Sequence, residues 1–360
     1  MHETPELRPL AFGPNLPERF YRGGAGIARF RGIEQAAPNI PEDFIASTTE
    51  VFGGGGIGLS ALDDGTVLRD AVAANPVGFL GQAHAARFGA DPAVLVKMLD
   101  TAERLVVHFH PNGSFARRHL GCSHGKNEAW LITEVILDPA DDSSGHVFLG
   151  FTEDVTDEVV RDWMRRQDKA ALLGSLNKVP ARPGSTFFVP AGVPHAIGAG
   201  ITMVEVQEPV DLSILLEWEG FDIDGPNEGH LGLGFDTALT GLTRTAWDSA
   251  DVAAAMSGRS DDDSPSGVRR LLPPRADEFF RAERVTVGGD VQAVDFEPAF
   301  AILVILDGQG ELGFGDGHSM TVAAGCTLLV PYGAGSTRVT GQLTALRSQP
   351  PAVDEADPAR

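Results

Sequence analysis

The chain has 360 residues, 42% of them hydrophobic, and a formal net charge of −22; that is enough apolar surface for a real core and too much length for one small domain. The charge repels nucleic acid and anionic membrane at long range, so neither is an expected partner. Two cysteines, Cys122 and Cys326, lack CxxC spacing, which rules out a structural zinc–thiolate site and fits a reducing compartment.

The opening residues, MHETPELRPL, have no basic region leading into an apolar run, and no stretch approaches the ~20 apolar residues of a membrane span. A cytoplasmic protein is expected. Forty-three glycines and 24 prolines favour a mainly β protein with many turns. Residues 15–62 alternate short apolar runs with glycine clusters, as strands joined by turns would. The run FGGGGIG is followed by neither Gly-Lys-Ser/Thr nor a GxGxxG pattern, so it reads as a hairpin or loop and not a phosphate cradle. Helix-spaced apolar positions run over about 66–90, broken near Pro76 and stopped at Gly89. The segment AVLVKMLDTAERLVVHFHPNG then reads as two strands around a polar turn.

A second helical region is expected over about 152–178. Asp154, Asp157 and Glu158 crowd its start, Arg161, Arg165 and Arg166 come later on a solvated face, and Val159, Val160, Trp163 and Met164 form an apolar stripe. The polar, low-aromatic stretch MSGRSDDDSPSGVRR marks a linker, assigned to 256–272. Residues 277–347 again alternate as strands. The layout is therefore a β-rich region over 1–255 with helical insertions, a linker, and a smaller β-domain over 273–360.

An internal repeat supports two copies of one β-unit. GSTFFVPAGVPH (184–195) and GCTLLVPYGAGS (325–336) share glycine, threonine, valine-proline and a second glycine at an offset of 141 residues, with Ser336 standing where the first copy has His195. If His195 ligates a metal, the second copy has lost that metal.

Chemistry concentrates in VVHFHPNGS, GKNEAW and VPAGVPHAIG. Strand residues two apart project from one face, so His108 and His110 point the same way and can share a divalent ion. Glu128 can add a carboxylate oxygen and His195 a third imidazole, a set that suits zinc and also manganese or iron. A lone His-x-His pair often arises by chance on a half-exposed strand; its conjunction with the glycine-proline frame of His195 favours metal.

Those segments together resemble the metal site of the cupin barrels. More closely, AVLVKMLDT, VHFHPNG, GKNEAWLI, GSTFFVPAGVPHAIGAG and ITMVEVQEPVD, in this order, resemble the class I mannose-6-phosphate isomerase family over roughly residues 20–350. The resemblance implies a mainly β double cupin, two jelly-roll barrels with helical insertions in the N-terminal half. Residues 1–255 would form the metal-binding barrel and 273–360 a degenerate barrel without metal. It implies zinc ligands at His108, His110, Glu128 and His195, with an imidazole at His108 where the family usually has glutamine. It also implies an active-site lysine at Lys126, beside which His124 is a further catalytic candidate.

The implied activity is aldose–ketose isomerisation through an enediol-type intermediate, with a small sugar or sugar phosphate as partner and a monomer or homodimer as the assembly. Two family residues that meet the substrate, an arginine and a serine, fall here on Leu215 and Val106. That opens the alternative of an unphosphorylated or modified sugar. Iron or manganese oxygenase chemistry and non-catalytic sugar binding are the remaining alternatives; Lys126 and the full ligand set favour isomerase. Glu205 and Gln207 share one strand face beside the expected site, while Arg117, Arg118, His119, Asp211 and Glu217 read as solvated.

Overall fold

Antiparallel pairing gathers the strands into three sheets in a computed structural model that describes residues 7–35, 37–256, 267–315 and 317–353. One five-stranded sheet runs Glu42–Ile45, Leu95–Asp100, Ile201–Gln207, Glu128–Val135, Thr186–Val189. A second runs Ile214–Leu215, His108–Phe109, His195–Ile197, His146–Phe151, Leu176–Pro180. They face each other: Leu99, Trp130, Phe187 and Met203 of the first share a core with Val147, Leu149, Val179 and Ile197 of the second. This is the N-terminal barrel, and the space between its sheets is what a cupin encloses.

The first sheet is buried on both faces, which is why LVKMLD carries no strict polar-apolar alternation and even Glu205 and Gln207 of ITMVEVQ are buried. Its outer face, through Val96, Met98, Leu131 and Val204, packs on Ile302, Val304, Leu329 and Leu346 of the C-terminal region. There, Leu10–Ala11, Thr327–Val330, Ala301–Phe314, Thr337–Gln349, Arg281–Val287 and Val268–Arg270 lie side by side. Ala293–Phe296 and His318–Ala323 complete an eight-stranded sheet with its own core of Val285, Leu303, Leu312 and Leu343. Residues 257–266, the centre of the expected linker, lie outside the described residues. Val268–Arg270 beyond them is already a strand, and Leu10–Ala11 crosses from the N-terminal end to pair with Thr327–Val330.

The repeat is structural. Thr186–Val189 and Thr327–Val330 are strands at the same offset, each preceded by a left-handed glycine, Gly184 at φ 87° and Gly325 at φ 89°. The turns then diverge. Pro190 to Pro194 delivers a buried His195, whereas the second turn coils at Tyr332–Ala334 and leaves Ser336 exposed.

The helices fall largely where the periodicity puts them. The first region becomes Leu68–Ala74, Pro76–Leu80 and Gln82–Phe88, with Asn75 capping the helix that Pro76 opens. The second becomes Asp157–Arg166 and Lys169–Gly174, capped by Thr156 and Asp168, before the chain returns to a strand at Leu176. Val160 and Met164 are buried as expected, but Val159 turns 39% exposed because it lies off the packed stripe. Helices Gly26–Arg31, Gly113–Leu120 and Ser249–Met256 occupy stretches that had not read as helical. The first is a single turn or so, held by its glycine cap Gly32 and by Asp100, whose carboxylate accepts from the Gly26 amide at 2.5 Å.

Because the interface between the two halves is a continuous apolar core, Leu329→Ala should cost about 2–5 kcal/mol, read as a lowered midpoint in denaturant unfolding of the whole chain.

Candidate metal centre

His108 and His195 sit directly opposite each other in neighbouring strands. His110, two residues beyond His108, projects to the same side. The three ring centroids are 4.2 to 5.0 Å apart, and one ligand nitrogen from each can be chosen so that all lie within 4.8 Å of one another. All three residues are buried.

The backbone decides which nitrogen faces the centre. Nδ1 lies 2.9 Å from the Val106 carbonyl in His108, 2.7 Å from the Leu212 carbonyl in His110 and 2.8 Å from the Val193 carbonyl in His195. A carbonyl only accepts, so each Nδ1 carries a proton, and in the neutral ring the lone pair is then on the Nε2 that faces the centre. Burial, then His195 and His110, hold the His108 imidazole well below its ordinary value, and burial with Lys126 lowers His110 to about 3. Both rings are neutral at pH 7.

Glu128 enters from the facing sheet. Its Oε2 is 3.0 Å from His110 Nε2 and its Oε1 3.2 Å from His195 Nε2. Burial works to raise this carboxyl, but Lys126 and then His110 override it and hold it well below the usual range. Ionised oxygens and imidazole lone pairs are all acceptors, and His195 Nε2, fully buried, has no hydrogen-bond donor. Lys126 relieves part of this, its Nζ 2.9 Å from His110 Nε2 and 2.7 Å from Glu128 Oε2. A set of neutral imidazoles and one carboxylate turned inward fits a divalent metal ion.

The glycine-proline frame holds these parts together. The Gly192 amide, in a left-handed residue, donates to the His110 carbonyl at 2.7 Å, and Ala191 N donates to Asn127 Oδ1 at 3.0 Å. Lys126 N donates to the Pro111 carbonyl at 2.9 Å. A Cβ on the preceding Gly125 would come within 2.4 Å of Gly113 N, so only glycine brings Lys126 this close to His110.

Beside the histidines lies a cavity of about 710 Å³, reached by His108, Lys126 and Glu128. A buried chain of alternating charges leads away from Lys126. Glu205 is 3.5 Å from Lys126 and 3.3 Å from Lys97; Lys97 is 2.8 Å from Glu42; Arg19 is 2.9 Å from Glu42 and bidentate to Asp211 at 3.0 and 3.1 Å. Burial pushes Glu205 up to about 7 against the pull of Lys97 and Lys126. Burial also works to raise Asp211, but Arg19 and Lys97 hold it far below the carboxylate range. Arg19, Glu42 and Lys97 had not been singled out in the sequence, although a lysine within the unbroken apolar run AVLVKML was the available signal.

Other expectations are placed differently. His124 does not reach this cavity: its Nε2 is 2.8 Å from Asp91 and its Nδ1 3.6 Å from Glu208, at a separate depression shared with Arg117. Asp211 and Glu217, read as solvated, are buried; Glu217 takes both Arg104 nitrogens at 2.8 and 2.6 Å and the Val107 amide at 3.0 Å. Gln207 bonds the Glu208 and Val210 carbonyls and does not line the cavity, whereas Glu205 does. Val106 and Leu215 both line it, Leu215 paired directly opposite His108.

This architecture defines a cupin protein with a metal-competent histidine cluster in the first barrel. No family model matches the sequence. The chain is 26% identical over 252 residues to mannose-6-phosphate isomerase ManA of Bacillus subtilis, covering 69% of this chain and 72% of the relative. It is 25% identical over 257 residues to mannose-6-phosphate isomerase of Streptococcus mutans, covering 71% and 73%. The fold matches the solved mannose 6-phosphate isomerase of Bacillus subtilis with a TM-score of 0.75 at 20% identity, over 95% of this chain and 100% of that one. It also matches a point mutant of phosphomannose isomerase from Salmonella typhimurium with a TM-score of 0.69 at 14% identity, over 96% and 100%. In sequence and in fold the chain is similar to mannose-6-phosphate isomerases.

The His124 contacts generate a pH prediction. Burial works to lower this imidazole, but the hydrogen bonds with Asp91 and Glu208 outweigh it and raise it from 6.5 to about 9. A raised folded value stabilises fully below the unfolded value and is lost as pH rises through the folded one. Wild-type stability should therefore fall between about pH 6.5 and 9, and His124→Gln should flatten that fall in unfolding curves taken across the range.

Proposed function

We propose that this chain interconverts an aldose and its 2-ketose at a divalent metal ion held by His108, His110, Glu128 and His195. The observation that carries the proposal is the inward set of Nε2 lone pairs and Glu128 oxygens with Lys126 Nζ bonded at its edge. The similarity to mannose-6-phosphate isomerases supports the same reaction class. Zinc suits the donor set, and manganese or iron(II) are the other ions it accommodates. When bound, such an ion polarises the sugar carbonyl and offsets negative charge developing on oxygen.

The remaining work falls to side chains of this chain. The C2–H bond breaks and its electron pair forms the C1=C2 double bond of an enediol as O1 gains a proton. The C1–H bond then forms and O2 loses its proton, leaving the ketone, so no oxidant or reductant is needed. Lys126 Nζ, in its amine form, is assigned to take the C2 proton and return it to C1. Its bond to Glu128 holds it beside the centre, and Glu205 stands behind it. A lysine in this position has an evident use in proton transfer and none in activating dioxygen, which favours isomerisation over oxygenase chemistry. The trench between the two sheets keeps the sugar out of bulk water.

Lys126→Met should lower exchange of the sugar α-proton with solvent deuterium by about 100-fold or more, followed by proton NMR over a panel of aldoses and ketoses, phosphorylated and free. Absence of exchange with every sugar in the wild type would overturn the isomerase reading. His195→Ala should weaken metal retention by at least about 100-fold, measured as metal content by atomic emission. Ser336→Ala should retain the wild-type content, because that exposed serine is the second barrel's counterpart of His195.

A further inference from the structure

The cavity beside the histidines has an unusual charge inventory for a site that would hold a phosphorylated sugar. Seven carboxylates line it against three cations, Arg19, Lys97 and Lys126. Each of those cations is already engaged. Arg19 is clamped by Asp211 and Glu42, Lys97 by Glu42 and Glu205, and Lys126 by Glu128 and Glu205. Among the described lining residues, no lysine or arginine is left without a carboxylate partner.

The inner pairs are buried, so releasing a cation to meet an incoming anion would leave a buried carboxylate uncompensated. Among the described lining residues the outer part offers no compensating charge: Glu18, Asp222 and Glu228 at the mouth are exposed carboxylates, and the amides Asn39 and Asn227 are neutral. A dication at the histidines does not reverse the balance. The wall next to His108, made by Leu105, Val106, Ile197 and Leu215, is apolar and donates no side-chain hydrogen bond.

Resting on the isomerase reading above, we infer that the substrate of this chain is an uncharged sugar, and that the cavity selects against phosphorylated ones. Hydroxyl groups suit this lining, since each can donate to an ionised carboxylate without displacing its cation. Aliphatic C–H faces of a sugar suit the Leu105, Val106, Ile197 and Leu215 wall. A phosphate dianion would instead enter past the carboxylates of the mouth, a like-charge approach that costs affinity and slows association.

The test uses the metal-loaded full chain and two unreactive ligands, D-mannitol and D-mannitol 1-phosphate, titrated by calorimetry at low ionic strength. It is run beside deuterium exchange with D-mannose, D-fructose and their 6-phosphates. The neutral polyol should bind about tenfold or more tighter than its phosphate, and exchange should proceed with the free sugars. A double variant of the exposed rim, Glu18→Lys with Asp222→Lys, should narrow the binding gap by about threefold or more, as should added salt. Tighter binding of the phosphate, exchange confined to the 6-phosphates, binding of neither ligand, or a gap untouched by rim charge reversal would each overturn the inference. Preference for mannitol with no exchange of any sugar would overturn the isomerase reading and leave the charge selectivity standing.

Discussion

Imidazole nitrogens and an ionised carboxylate are buried within hydrogen-bond distance of one another, and acceptors so placed repel unless a cation lies among them. Every nearby structural choice serves that arrangement. The carbonyls of Val106, Val193 and Leu212 fix the tautomers, the facing sheet brings Glu128 across, and Lys126 Nζ lies within hydrogen-bond distance of both His110 and Glu128. The N-terminal barrel is a rigid mount for acceptors, and its two sheets set their separation.

From Lys126 outward, the same logic repeats as an alternation of buried charges ending at Arg19 and Asp211. Each member is paired, so the desolvation cost of one is offset by its neighbours; removing any single member would leave a buried charge uncompensated. This coupling ties the candidate proton-transfer lysine to residues far apart in the chain, and it leaves no cation free in the cavity. The charge pattern that shapes the substrate reading is thus a property of the network and not of any one side chain.

The C-terminal sheet carries the same frame with Ser336 at the position of His195. It keeps the left-handed glycine, the four-residue strand and the proline, yet its turn coils at Tyr332–Ala334 against the helix Pro76–Leu80 and leaves Ser336 in solvent. Its outer apolar surface is spent on holding the first barrel's sheet from behind. The second unit therefore contributes support where the first contributes ligands.

Much of this was legible in the linear order. The His-x-His pair, the Gly-Lys-x-Glu segment and the repeated turn signal short-range geometry, because side chains two apart on a strand share a face and a Gly-Pro frame fixes local backbone. The helices over 68–88 and 157–174 followed from periodicity and caps for the same reason: their causes lie within a few residues. What the chain order did not disclose depends on partners far away in sequence. Asp211 and Glu217 looked solvated because their arginines, Arg19 and Arg104, lie 192 and 113 residues off. His124, two residues from Lys126, is turned aside by Asp91 and Glu208, and only packing shows it. Local backbone preference, then, is written in the sequence; whether a charged side chain is solvated, buried and paired, or aimed into a cavity is decided when strands distant in the chain become neighbours, since Coulomb and desolvation energies depend on distance in space.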